Sequence, residues 1–268
     1  MEYKNTVTLL GTRGSMPCSG KEYLRYGGRT TCVLVQLAGE TLLLDGGSGM
    51  AFLKAESVPV RRLSMLLTHA HVDHLLGLPM SPILTKKDVT VDLYAATRDG
   101  RSGEQQVRAL MQPPLWPVGP EALPATICFH DLPTSLDIGA VHVDTMAGVH
   151  PGGVTVYRVS GAGKSVVLAT DCTFTEDLLP SLRDFSKGCD LLLCDGQYSE
   201  EEWADRSAFG HNTWLAAAKL GRDCGAKQVR IIHHAPDRTD DELDAAAAVV
   251  SALCPNCRFG YDEEVITL

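Results

Sequence analysis

Three histidines and an aspartate lie within six consecutive residues, at His69, His71, Asp73 and His74. Imidazole nitrogens and carboxylate oxygens are the usual protein ligands of first-row divalent metals. A β-type run, residues 62–67, leads directly into this cluster, and His69 and His71 point the same way if the chain is extended there. Asp73 and His74 can turn toward a neighbouring point. The cluster therefore predicts ligands for two adjacent metal ions rather than a loop of solvated histidines.

A pair of ions needs further ligands, and three polar residues stand where predicted strands open into loops: His150, Asp171 and His233. Loops at strand ends are where folds commonly place their chemistry. Taken singly, each residue would more often be a cap or a satisfied polar group. Together with the cluster they complete two sites rich in nitrogen and oxygen. His234 directly follows His233, and the choice between these two stays open.

The pattern resembles a known family. His-x-His-x-Asp-His after a hydrophobic strand resembles the signature of the metallo-β-lactamase superfamily, and more narrowly its branch of tRNA 3′-processing endonucleases (RNase Z) and cyclic phosphodiesterases. The resemblance runs from residue 6 to about residue 245. The matching segments are Leu10-Gly11-Thr12-Arg13-Gly14-Ser15, Leu44-Asp45-Gly46-Gly47-Ser48-Gly49, residues 68–74, Ala169-Thr170-Asp171, Gly210-His211-Asn212-Thr213 and His233-His234-Ala235-Pro236.

The resemblance implies an α/β fold, a four-layer αββα sandwich that binds two divalent cations. Zinc is the favoured ion, with manganese or iron as alternatives for mixed His/Asp ligation. One cation would be held by His69, His71 and His150. The other would be held by Asp73, His74 and His233, and Asp171 would bridge the two.

The same resemblance implies two catalytic residues. Asp73 would orient the attacking hydroxide as well as bind metal. His211, in Gly210-His211-Asn212-Thr213, would contact the phosphate and assist the leaving group, although Asn212 stands where the family usually has serine. Asp45, which follows three leucines, is predicted to hold a metal-binding histidine in position without binding metal itself.

The elements that must position these residues are predominantly strands in the first half of the chain. In the second half, strands alternate with helices. Thr239 and Glu242 match a capping box, and we expect one domain over residues 1–268, with sheets flanked by helices. Residues 112–137 carry six prolines and are expected to wrap the surface. Strands are predicted at residues 6–10, 31–35, 41–45, 62–67, 154–159, 165–169, 191–195 and 228–232, and helices at 212–224 and 243–253, with a further apolar helix inside 73–86.

Composition sets limits on partners and location. A net charge of −9 argues against a broad grip on nucleic acid, although bound cations can reverse the local field for a phosphate ester. The chain has no apolar run long enough to span a membrane and no recognisable export signal at its start. A cytoplasmic protein without a membrane partner is expected, and monomer and homodimer both stay open. Nine cysteines, an odd number, predict reduced thiols, including the lone pair Cys254 and Cys257.

The favoured function is metal-dependent hydrolysis of a small or cyclic phosphodiester. The first alternative is a tRNA 3′-processing endonuclease, but the basic Gly/Pro-rich arm by which that family binds tRNA has no counterpart among residues 112–137, which hold almost no Lys or Arg. A thioester or lactam hydrolase is compatible with the fold alone. A different class is a non-catalytic metal-binding or regulatory protein on the same scaffold, which would have no chemical reason to keep every ligand.

Overall fold

Two seven-stranded sheets form the centre of the structure, a computed structural model that describes residues 5–54, residue 58 and residues 61–268. Residues 1–4, which contribute to the expectation about an export signal, lie outside the described residues. In chain order the strands are β1 (Thr6–Gly11), β2 (Cys32–Leu37), β3 (Glu40–Leu44), β4 (Arg62–Leu66), β5 (Thr90–Ala95), β6 (Thr126–Asp131), β7 (Ser135–Ile138), β8 (Val141–Gly148), β9 (Val154–Gly161), β10 (Lys164–Ala169), β11 (Leu191–Asp195), β12 (Gln228–Ile232), β13 (Cys257–Phe259) and β14 (Glu264–Thr267).

The strand orders are β14-β1-β2-β3-β4-β5-β6 in the first sheet and β13-β12-β11-β10-β9-β8-β7 in the second. One apolar core, which includes Leu9, Leu44, Tyr157 and Leu193, joins the two sheets. Two further cores cover the outer faces of the sheets with helices, so the layers are αββα. The helices are α1 (Val72–Leu75), α2 (Gly103–Leu110), α3 (Leu179–Ser186), α4 (Glu200–Arg206), α5 (Trp214–Asp223) and α6 (Asp240–Leu253).

The parallel strands of both sheets determine where the functional side chains lie. Strands β3, β4 and β5 run parallel to one another, as do β10, β11 and β12. Since neighbouring parallel strands end at the same edge of a sheet, their carboxyl ends bring polar residues together there. Asp45 and His69 follow β3 and β4, while Asp171, Asp195 and His233 lie at the ends of β10, β11 and β12. The two sheet edges face each other across the site.

Both predicted hairpins are confirmed, since β2 pairs with β3 and β9 with β10 in antiparallel register. Thr239 caps α6 in a capping box as predicted, although the helix begins at Asp240. Helix α5 begins at Trp214, after the N-cap residue Thr213. In the part of the chain that the structure describes, no helix combines the length and apolar character needed to cross a bilayer.

Two sequence expectations are wrong. The predicted apolar helix inside residues 73–86 is absent: this segment holds only α1 and a 3-10 turn at Leu78–Met80. The reason is the position of Gly77, which donates its N–H to the carbonyl of Gly46. The backbones pack so closely there that a Cβ on Gly77 would lie 2.0 Å from the carbonyl oxygen of Gly47. Residues 112–137 are not all surface loop, because β6 and β7 form the outermost strands of the two sheets. The prolines stop at Pro124 and resume at Pro133, which leaves β6 free to pair with β5.

Candidate metal centre

The first group of predicted ligands places three imidazole nitrogens close together. His69 Nε2 lies 2.9 Å from His71 Nδ1, and His150 Nε2 lies 3.1 Å from the same atom. Burial lowers the pKa of all three imidazoles, and for His69 it does so strongly. A lowered pKa favours neutral imidazoles, whose nitrogen lone pairs can coordinate a cation. The donor set and its spacing therefore fit a divalent metal ion.

The second group combines two imidazoles with two carboxylates, all of them buried. His74 Nε2 lies 3.3 Å from both Asp73 Oδ2 and Asp171 Oδ1, and His233 Nε2 lies 3.2 Å and 3.1 Å from the same two oxygens. His74 Nε2 is buried and makes no hydrogen bond. A buried polar atom is seldom left without a partner, so this nitrogen is suited to bind a cation.

Charge within this group is closely balanced. Burial acts to lower the pKa of His233, but Asp171 and Asp73 outweigh it and raise that pKa to about 10. The pKa of Asp73 lies well below its ordinary value, because His74 and His233 outweigh the opposite effect of burial. The two carboxylates therefore favour positive charge at the imidazole nitrogens, which a divalent cation would supply.

Asp171 lies between the two groups. Its Oδ2 atom is 3.8 Å from His69 Nε2 and 3.7 Å from His150 Nε2, while Oδ1 faces His74 and His233. The residue is buried and has a φ of 51°, in the left-handed region that few residues other than glycine adopt. Such strain persists where the surroundings enforce it. Here it turns one carboxylate toward both groups of histidines.

Contacts outside the two groups fix which nitrogen each imidazole presents. Nδ1 of His74 donates to Asp45 Oδ2 at 2.8 Å, as predicted for Asp45, and Nδ1 of His150 donates to the carbonyl of Gly210 at 3.0 Å. His233 Nδ1 donates to Gln197 Oε1 at 2.9 Å. Each of these bonds engages Nδ1, so Nε2 is the nitrogen directed at the centre.

His69 is held by a similar chain of bonds. The Thr68 hydroxyl donates to Asp45 Oδ2 at 2.9 Å and lies 3.0 Å from His69 Nδ1, which donates to it. Sequence reasoning assigned no role to Thr68 or Gln197. Their one signal was position, because each follows a buried strand within two residues.

His211 is brought against both groups by Asp195. The Oδ2 atom of Asp195 accepts from His211 Nδ1 at 2.8 Å and from the backbone N–H of Asp171 at 3.2 Å. Its Oδ1 atom accepts from the N–H of Asn212 at 2.9 Å. The ring of His211 stacks on that of His233, with centroids 4.8 Å apart. Asp195 is the last residue of the strand predicted at 191–195, and in the structure it binds His211, Asn212 and the backbone of Asp171.

The structure separates His233 from His234. His233 faces Asp73 and Asp171, whereas His234 Nε2 donates to the carbonyl of Gly260 at 2.8 Å and its ring packs on Tyr26. His233 has a left-handed φ of 63°, and the two neighbouring side chains enter different surroundings, so only His233 faces the cluster.

The two remaining histidines lie away from the candidate metal centre. His130 bonds Asp92 in the first sheet, and His142 is exposed on β8 beside Asp137. All nine cysteines are free thiols, and no cysteine joins a candidate metal group among the residues described. This agrees with the interpretation of Cys254 and Cys257 as reduced thiols.

The layers and the strand-end cluster together define the class of protein: an αββα sandwich with a His/Asp centre between its sheets has the metallo-β-lactamase fold. Residues 42–234 match the family described as the Beta-lactamase superfamily domain. The chain belongs to this superfamily of hydrolases, and the predicted resemblance and fold are confirmed.

Relatives cover almost the whole chain. Ribonuclease Z of Lachnoclostridium phytofermentans is 23% identical, over 98% of this chain and 97% of the relative. Among solved structures, the metallo-beta-lactamase fold protein YhfI from Bacillus subtilis superposes with a TM-score of 0.74 at 19% identity, covering 99% of each chain. A diphosphatase from the PhnP family superposes with a TM-score of 0.73 at 17% identity, covering 99% of this chain and 98% of that one. These structural likenesses establish the fold.

Gly14 and Ser15, in the first of the family-like segments, contact the second group of candidate ligands. The N–H of Ser15 donates to Asp73 Oδ2 at 2.8 Å, and a Cβ on Gly14 would lie 2.1 Å from His233 Nδ1. We expect Gly14→Ala to displace the His233 ring and break its bond to Gln197. Metal affinity should fall by roughly 10- to 100-fold, measured by competition with a chromogenic chelator, while the far-ultraviolet circular dichroism spectrum is retained.

A matched control is Gly163→Ala, in the β9–β10 turn. No atom lies within 4 Å of the added methyl group there, although a φ of 72° makes alanine unfavourable. This variant should lose stability and keep its metal affinity. Equal metal affinities for Gly14→Ala and the wild type would show that His233 tolerates the methyl group, contrary to the geometry.

Proposed function

We propose that the protein is a hydrolase that binds two divalent cations, zinc being favoured, and cleaves a small or cyclic phosphodiester. The observation that carries this proposal is the position of Asp171, whose two oxygens face separate groups of imidazoles. In this proposal His69, His71 and His150 hold one cation, Asp73, His74 and His233 hold the other, and Asp171 bridges them.

Cations bound there would lower the pKa of water and neutralise charge on a phosphate oxygen. The chain's own contribution begins with Asp73, whose Oδ2 atom is oriented by the Ser15 N–H. The Ser15 N–H bond favours the ionised form of this carboxylate, so it can accept a hydrogen bond from the attacking water and align it. Asp73 thus both binds metal and positions the nucleophile.

His211 is the proposed proton donor. Its Nδ1–H is committed to Asp195 Oδ2, which fixes the orientation of the ring. Nε2 is then the nitrogen that can contact a phosphate oxygen or protonate the departing alkoxide. The ring lies between His150 and His233, with centroids 5.3 Å and 4.8 Å away, and so beside both proposed metal positions.

Phosphodiester chemistry is supported by the relatives, because ribonucleases Z match this chain over nearly its full length. A small substrate is supported by three features of this chain. Its net charge is −9. Residues 126–138 include β6 and β7, which are edge strands of the two sheets rather than a protruding arm. The alignment with the Lachnoclostridium enzyme runs over 312 residues, more than the 268 of this chain, so that relative contains segments absent here.

The test is metal content together with turnover. We expect about two equivalents of metal per chain, measured by inductively coupled plasma mass spectrometry. Hydrolysis of bis(p-nitrophenyl) phosphate should be abolished by a chelator and restored by zinc or manganese. A protein that purifies without metal and stays inert after both ions are supplied would support the non-catalytic alternative instead.

The second candidate is tRNA 3′-processing, which the ribonuclease Z relatives favour. Pre-tRNA, linear diesters and cyclic nucleotides should be compared at equal enzyme concentration. Our proposal expects kcat/KM to be higher for a small diester than for pre-tRNA. The reverse order would transfer the assignment to ribonuclease Z while leaving the metal centre in place.

A further inference from the structure

A cleft of about 360 Å³ opens beside the first group of histidines. His69 and His71 form one of its walls, Arg98 and Arg101 line another, and the glycines of the loop after His150 complete it. We infer that this cleft binds a second anionic group of the substrate, a phosphate or a carboxylate, while the scissile phosphodiester lies at the metal centre. This inference concerns the substrate class of the proposed function and rests on it to that extent.

The two arginines are held on one face by a tight turn. Arg98 and Arg101 pair through two backbone hydrogen bonds, of 3.0 Å and 2.8 Å. Asp99 and Gly100 form the turn with φ values of 48° and 72°, the two-residue Asp-Gly hairpin geometry. Because residues directly opposite each other in such a pair project to the same side, the turn places two like charges next to each other.

The Arg98 guanidinium is anchored beside the metal centre. Its Nη2 atom donates to the carbonyl of Thr68 at 3.1 Å and to Thr155 Oγ1 at 2.8 Å, and Thr68 directly precedes His69. A Cβ on Gly153 would lie 2.4 Å from Nη1, so the absence of a side chain there makes room for the guanidinium. Among the described residues, neither Nη1 nor Nε has a hydrogen-bond partner.

The charge of the pair is not balanced by bonded carboxylates. In the described ranges, neither Arg98 nor Arg101 forms an ion pair, whereas Arg62 and Arg108 each do. Asp99 also lines the cleft, which leaves two cationic side chains against one anionic one. Adjacent like charges are unfavourable, and an anion that accepts from both guanidinium groups would remove this cost.

The geometry selects substrates with two anionic groups. A ligand seated in the cleft touches His69 and His71, so one end reaches the proposed metal ligands while the other lies at the arginines. Arg101 is exposed and Arg98 is half-buried. Arg98 would therefore act as the fixed donor, and Arg101 can close on the ligand from the solvent side.

The first experiment compares two substrates, thymidine 5′-(p-nitrophenyl phosphate) with and without a 3′-phosphate. The metal-loaded wild type should prefer the 3′-phosphorylated compound in kcat/KM. Arg101→Gln should reduce that preference about fivefold to tenfold, and Arg101→Lys should keep part of it. The matched control is Arg258→Gln, an exposed arginine on β13 of the second sheet, which should keep the wild-type ratio. A preference that Arg101→Gln leaves unchanged would overturn the inference.

A second measurement does not depend on turnover. Inorganic phosphate is titrated calorimetrically into the full-length, metal-loaded chain and the same variants. We expect Arg101→Gln to weaken phosphate binding severalfold and Arg258→Gln to leave it unchanged. If the protein hydrolyses no diester but shows this Arg101 dependence, the anion site stands and the proposed function fails. Equal phosphate affinity in Arg101→Gln and the wild type would refute the anion site, whatever the activity.

Discussion

Asp171→Ala is expected to lose both metal ions and at least about 1,000-fold in turnover of bis(p-nitrophenyl) phosphate. The carboxylate is buried between the two groups of histidines, with oxygens 3.1 Å to 3.8 Å from four imidazole nitrogens. Removing it takes one ligand from each proposed cation and leaves the imidazoles without their shared counter-charge. Metal content by mass spectrometry and turnover, measured on the same sample, check both parts of the expectation.

Asp171→Asn tests whether the negative charge of Asp171 matters apart from the volume of its side chain. The asparagine amide fills the same space but carries no charge with which to bridge two cations. This variant should resemble Asp171→Ala in metal content. The matched control is Asp190→Asn, next to the first residue of β11 in the same sheet, where the carboxylate accepts from the N–H of Ser165 and pairs with Lys227. That variant should lose some stability and keep both metals. Full metal occupancy in Asp171→Asn would show that Asp171 does not bridge.

His211→Gln is expected to keep both metals, while its kcat for diester hydrolysis falls by about 100- to 1,000-fold. Asp195, to which His211 donates, belongs to neither proposed ligand group. The His211 ring packs against those of His150 and His233 but is not among the predicted ligands, so its removal should spare metal binding. The exposed histidine of β8 supplies the control: His142→Gln should match the wild type in both measurements.

The leaving group distinguishes a proton donor from a structural residue. If His211 protonates the departing oxygen, its loss should matter least for p-nitrophenolate, which leaves readily without a proton, and most for diesters with an alkoxide leaving group. A merely structural role would slow both kinds of diester by the same factor. Near-normal rates on both would exclude His211 from catalysis.

Much of this centre could be predicted from the sequence, because the signals were local. His69, His71, Asp73 and His74 are neighbours, and the β-type run before them places them at a strand end. Asp171 and His233 also follow buried apolar strands. Strands of this kind, buried on both faces, are recognisable as continuous hydrophobic runs.

The wrong expectations concern segments where local pattern and tertiary context compete. An apolar stretch within residues 73–86 predicted a helix, but the backbone at Gly77 is held against Gly46 and Gly47 by contacts that only the folded chain provides. The proline-rich residues 112–137 contain β6 and β7, which are strands because a sheet edge is available to each.

By itself, the sequence determined the kinds of candidate ligand, their order along the chain and their positions at strand ends, since these properties depend on adjacent residues. Tertiary structure alone decided that His233 rather than His234 faces the cluster, that Asp195 anchors His211, and that Arg98 and Arg101 share a wall with the histidines. The physical reason is distance along the chain. Asp73 and His233 are 160 residues apart, and only the packing of one sheet on the other brings them within 3.2 Å.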